Sequence, residues 1–157
     1  MKKQIKLLLI LVLILSGCSN KTVDDTKGLE EKEFTYQKNE SQINELLDEN
    51  YNELKVKNDL ELRPEKIDDG IEFYYNFLVA GSIKYGTFEL LNKDKKDLEV
   101  KIVTNKAFYK PISKVFGEYQ FYYFEIPSDE ELVSININGT KVGKEYASHF
   151  NKIYEGV

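Results

Sequence analysis

The sequence predicts a mainly β protein, an antiparallel β-sandwich preceded by one amphipathic helix. Three observations point there. After Pro64 the apolar residues recur with a period of two instead of 3.6. About six β-rich runs follow at a spacing of about 10 residues, with turn signals between them. Of the 20 Phe and Tyr, 17 lie beyond residue 66, where cross-strand packing makes best use of them.

Ile71, Phe73, Tyr75, Phe77 and Val79 alternate with Glu72, Tyr74, Asn76 and Leu78 between Asp68-Asp69-Gly70 and Gly81-Ser82, which reads as a strand. Ile83 to Leu91 and Leu98 to Val103 flank the polar run Asn92 to Asp97, the pattern of a hairpin with a medium loop. Asn105 to Glu118 has no clean period around Pro111. It reads as a crossing loop, with a short strand near Phe108 or a helical turn after Pro111. The dense aromatic run Tyr119 to Ile126 suits a central strand buried on both faces. Val133 to Ile137 alternates, Asn138-Gly139 is the preferred type I′ turn pair, and Thr140 to Val142 returns, with a final strand extending through Tyr146. From Ser148 to Val157, Phe150, Ile153 and Tyr154 sit at helical spacing in a tail that docks as a short turn or frays.

Upstream, Ile43, Leu46, Leu47, Tyr51 and Leu54 fall on one stripe, which predicts a helix from about Ser41 to Lys57. Asn39 with Gln42, or Ser41 with the residues after it, caps its start. The stripe lacks the basic flank of a membrane-surface helix and is expected to pack within the chain. Ser19 to Lys38 is polar with isolated apolar residues and reads as a disordered tether. The organisation expected is therefore a signal segment 1–17, a tether 18–38, a helix and connector 39–66, and a sandwich-like domain 67–157.

Two short motifs carry resemblances. Gly117-x-Tyr119-x-Phe121 resembles the tyrosine corner at the start of strand F in immunoglobulin domains, with Phe121 where antibody domains place a Cys, and departs at Val115, where those domains often have Asp. It implies an immunoglobulin-like β-sandwich. A small β-barrel, or an α+β sheet with the helix across one face, remain alternatives. Leu15-Ser16-Gly17-Cys18 resembles the lipobox of bacterial lipoproteins. It ends the apolar run Leu7 to Leu15, which follows a positive region of Lys2, Lys3 and Lys6. The resemblance implies cleavage between Gly17 and Cys18, a diacylglycerol on the Cys18 sulfur, and anchoring on the extracytoplasmic side of the cell membrane. A plain secretory peptide and an uncleaved anchor are the competing readings, and the apolar run is too short to span a bilayer. Lys outnumbers Arg heavily, with Arg63 the only Arg, a bias resembling that of low-GC Gram-positive bacteria.

Cys18 is the only Cys, so no disulfide is available and a lipid thioether accounts for the odd thiol. Removing residues 1–17 takes three Lys and no acid, moving the net charge from -5 to -8. That balance argues against nucleic acid or an anionic bilayer surface as a partner, since either would repel the chain.

Tyr74, Tyr122 and Tyr123 are a candidate binding face for a protein or an envelope polymer, against the alternative that they fill the core. Asp68-Asp69 with Glu72, and Asp129-Glu130-Glu131, could chelate Ca²⁺ but read better as turn residues, so no metal site is expected. His149, the only His, lacks the companions of a triad or a zinc site. Asn20, Asn39 and Asn138 open N-x-[ST] sequons without a glycosylation context. No phosphate loop or other cofactor motif occurs. The function expected is a non-catalytic binding module of the cell envelope. The alternatives are an accessory or protective lipoprotein acting on a membrane complex (secretion, conjugation, phage exclusion) through its helix, and a hydrolase built on scattered acids such as Glu72 and Glu125.

Overall fold

The computed structural model describes residues 24–56, 64–67, 70–76 and 84–155. Residues 1–17 and Cys18 lie outside them, so the signal segment and the lipid site are not described. The elements are β1 (Glu30–Lys32), α1 (Glu40–Val56), β2 (Glu65–Ile67), β3 (Ile71–Asn76), β4 (Tyr85–Leu91), β5 (Val100–Thr104), β6 (Ala107–Tyr109), β7 (Ile112–Phe116), β8 (Tyr119–Glu125), β9 (Leu132–Ile137), β10 (Thr140–Val142) and α2 (Lys144–Glu155).

They form two five-stranded sheets, with order β1-β6-β5-β9-β10 in sheet I and β2-β3-β4-β8-β7 in sheet II. Pairing is antiparallel except for β1 on β6. Hairpins alternate between the sheets: β7–β8 belongs to sheet II, β5–β6 and β9–β10 to sheet I. The inner faces share one core, in which Phe73, Phe88 and Phe124 of sheet II meet Ile102 and Ile135 of sheet I, with Tyr146 and Phe150 of α2. Phe88 stacks on Tyr122 at 4.8 Å.

A second core lies on the outer face of sheet II. There Ile43, Leu47 and Leu54 of α1 pack on Tyr85, Phe121 and Tyr123, and Tyr51 stacks on Phe116 at 4.5 Å. Burying each aliphatic side chain contributes about 1.5–3 kcal/mol. The helix starts where the sequence predicts: the Gln42 amide donates to Asn39 Oδ1 at 2.9 Å and the Asn39 amide to Gln42 Oε1 at 3.1 Å, a reciprocal cap. β8 therefore has apolar partners on both faces, as the aromatic run implies. The Asn138-Gly139 turn has φ of 50° and 83°, the positive values a type I′ turn requires.

Several elements differ from the sequence reading. The runs around Asn92–Asp97 do not form a hairpin, because β4 lies in sheet II and β5 in sheet I. Asn92 makes the loop a crossover: its side chain accepts from the Lys96 amide at 3.1 Å and donates to the Lys96 carbonyl at 2.8 Å. Asn105–Glu118 holds two strands, with β6 near Phe108 and β7, not a helical turn, after Pro111. Gly117, at φ 63°, turns β7 tightly into β8. Where β5 pairs with β9 the register shifts between Val103 and Thr104, which leaves Val133 of β9 unpaired and exposed and turns Leu132 inward.

The last strand stops at Val142. Gly143, at φ 69°, redirects the chain into α2, and a Cβ there would meet the Phe73 ring at 3.2 Å. The tail is thus a docked helix: Tyr154 OH accepts from the Tyr85 amide at 3.2 Å, and Phe150 is buried.

Candidate functional site

The segment expected to be a free tether is, from Asp24 to Lys38, a strap that clasps both sheets. Its first hold is on the outer face of sheet I. The Asp25 carboxylate accepts from Ser134 Oγ and, at 2.9 Å, from Asn136 Nδ2, with Lys141 Nζ 3.7 Å away. The Asp25 side chain is 4% exposed, and Ser134 and Asn136 are buried under it. β1 then adds to the sheet edge, pairing Glu30 to Lys32 with Ala107 to Tyr109.

Beyond β1 the Phe34 ring stacks on Tyr109 at 4.1 Å, and Tyr36 tilts against Tyr123 at 6.0 Å. The strap ends on Glu125, whose carboxylate accepts the Gln37 amide at 2.7 Å, the Lys38 amide at 3.2 Å and Tyr123 OH at 2.7 Å. Burial, and next the bond to Glu125, raise the Tyr123 phenol. Burial and the Glu125 charge push Tyr36 up to about 12. Close by, the buried Glu130 accepts from Thr104 Oγ1 at 2.6 Å and from Tyr109 OH at 2.8 Å, while Lys84 Nζ donates to the Glu130 carbonyl at 2.9 Å.

Between strap and sheets lies a cavity of about 450 Å³, bounded by Phe34, Gln37, Lys84, Tyr109, Glu125 and Pro127. Its walls combine aromatic faces with an acid and an amine, a mixture that suits a polar ligand with a flat or ringed body. Burial keeps the Tyr109 phenol protonated, and Glu125 is already bonded by neutral donors.

The predicted site residues do not form one face. Tyr74 and Tyr123 lie on the outer face of sheet II and Tyr122 on the inner, because side chains alternate along β8. Tyr122 and Tyr123 are 6% and 0% exposed, so the expected exposed row is corrected to two core residues and one half-buried Tyr74. Tyr74 OH donates to Glu72 at 2.7 Å, and burial with that bond pushes it up to about 12. Burial alone takes Tyr122 to about 12. Tyr122 also borders a cavity of about 510 Å³ with Lys95, Lys96 and Gln120.

Glu72 and Glu125 do not face each other. Glu72 is level with Tyr119 through Leu91, six residues along β8 from Glu125, about 20 Å at the rise of a strand. The acidic turns also separate: Asp129 pairs with Lys106, Glu130 turns into the core, and Asp68-Asp69 lies outside the described residues. Among the described residues no group of three His, Cys, Asp or Glu is placed to hold a metal. His149 is exposed on α2.

Sequence reasoning missed Asp25 and Asn50, and read as a turn residue the Glu130 that is buried. The paired polar residues Ser134 and Asn136 on one strand face, which are buried, were the available signal for Asp25. The chain matches no family model, no curated protein and no solved structure.

Proposed function

We propose that this protein is a lipid-anchored extracytoplasmic lipoprotein whose β domain is a non-catalytic binding module for a protein or envelope polymer. The observation that carries the reading is Leu15-Ser16-Gly17-Cys18 closing an apolar run behind three Lys. A single Cys, sited at the motif, supports it, as does the absence of any basic excess in the rest of the chain. The cavity at Glu125 supports the binding part, since it joins aromatic surface to a few fixed polar groups. The finer fold we read is a sandwich of immunoglobulin-like type, supported by two antiparallel-rich sheets over one core and by hairpins that alternate between them.

Cys18→Ala tests the anchor. Cells given labelled palmitate should label the wild-type chain and not the variant, and the variant should leave the membrane fraction. Equal membrane retention of the two would overturn the reading.

A further inference from the structure

The strap changes how far an anchored domain can stand from its lipid. If residues 18–38 were all coil, the domain would sit on a leash of about 20 residues and turn freely, with a root-mean-square reach on the order of 25 Å. Asp24 to Lys38 is instead part of the domain, and Asp25 is locked to Ser134 and Asn136. Only residues 19–23 separate Cys18 from the first described residue. Whatever their conformation, the six steps from Cys18 to Asp24 span at most about 20 Å.

We propose that the Asp25 clasp holds the outer face of sheet I toward the bilayer and leaves α1 pointing away from it; this rests on lipid attachment at Cys18. The first described residues, Asp24 and Asp25, lie on that face, with Asp25 on Ser134, Asn136 and Lys141. α1 lies on the far side of sheet II, across the two sheets. Sheets pack about 10 Å apart and a helix adds about 10 Å more, so α1 sits about 20 Å farther out.

Charge favours the same orientation. The face turned to the lipid neutralises itself: Lys101 pairs with Glu99 at 2.9 Å and Lys141 with Asp25, and Lys110 pairs with Glu31 at the rim. The solvent side of α1 carries exposed Glu40, Glu45 and Glu49. Turned over, those acids would meet anionic headgroups and be repelled. The occupant of the sheet I side is therefore the bilayer surface, held there by the lipid and the short connection against the repulsion that the net charge of the chain predicts.

The test uses the full lipidated chain in phosphatidylglycerol vesicles containing headgroup spin-labelled lipid. Because Cys18 is consumed by the lipid, a fluorophore can be placed on a single new thiol, Lys101→Cys on sheet I or Asn52→Cys on the exposed side of α1. Contact quenching should be several-fold stronger at position 101 than at position 52. Adding Asp25→Ala frees the strap and should bring the two values together.

Equal quenching at both sites, or stronger quenching at position 52, in protein that floats with the vesicles overturns the orientation and leaves the anchor standing. A several-fold difference that survives Asp25→Ala overturns the role of the clasp. Protein that does not float overturns the anchor and the orientation with it. Circular dichroism of each labelled variant, matching that of wild type, shows that the fold is kept.

Discussion

The two sheets each have an outer face to cover, and they cover it by opposite means. On sheet II, α1 lays Ile43, Leu47 and Leu54 over Tyr85, Phe121 and Tyr123. On sheet I, one carboxylate in a turn sits over Ser134 and Asn136. Apolar covering gains from every square ångström removed from water and is indifferent to small shifts. Polar covering gains little net, about 1 kcal/mol per hydrogen bond, yet leaving its groups unpaired costs more than that. The first face should therefore supply stability and the second should supply position: α1 holds the domain together, and Asp25 fixes where the strap runs.

Two substitutions test this division. Leu47→Ala, at a fully buried site, should lower global stability by about 3 kcal/mol through lost burial and a cavity, read as a shifted urea midpoint with an unchanged slope. Asp25→Ala strands the Ser134 hydroxyl and the Asn136 amide, at a cost of about 2 kcal/mol if the turn stays down. Lifting the turn lets water reach both groups, so the loss should appear locally. Amide exchange should accelerate across Thr26 to Lys32 with a small shift in the global midpoint. A large global loss from Asp25→Ala, or a purely local one from Leu47→Ala, would break the comparison.

How legible each face was in the sequence follows from the same physics. The stripe of α1 repeats every three to four residues, and its cap pairs Asn39 with Gln42, so both helix and start could be read from local pattern. The central place of β8 was legible because Tyr119 to Glu125 has apolar side chains on both alternating rows. Which strands share a sheet was not. The loop at Asn92 looks like a hairpin turn until Asn92 is seen holding Lys96, and nothing local says that β5 leaves for the other sheet. The strap was illegible because its holds are long-range and polar: Asp25 to β9, and Gln37 and Lys38 to Glu125. Composition alone made that segment look like coil, since its two rings, Phe34 and Tyr36, carry no period. The aromatic row failed for the converse reason, because a chain with no Trp and no disulfide uses its Tyr and Phe as core.

The apolar face contains one polar intrusion, and it gives the smallest and sharpest test. Asn50 lies on the buried side of α1 at 2% exposure and donates to Thr87 Oγ1 at 3.2 Å, in the middle of β4. Every buried side-chain nitrogen and oxygen among the described residues has a partner, so this pair is satisfied as it stands. Removing either half alone leaves the other unpaired at a buried position: Asn50→Leu or Thr87→Val should each cost about 1–2 kcal/mol. Removing both replaces a satisfied polar pair by apolar contact, and the double variant should return to within about 1 kcal/mol of the wild-type stability. The double-mutant cycle then reads the pair itself, free of most packing changes. Costs that simply add would mean that the hydrogen bond is not what holds Asn50 over Thr87, and that the helix is positioned there by Leu47 and Leu54 alone.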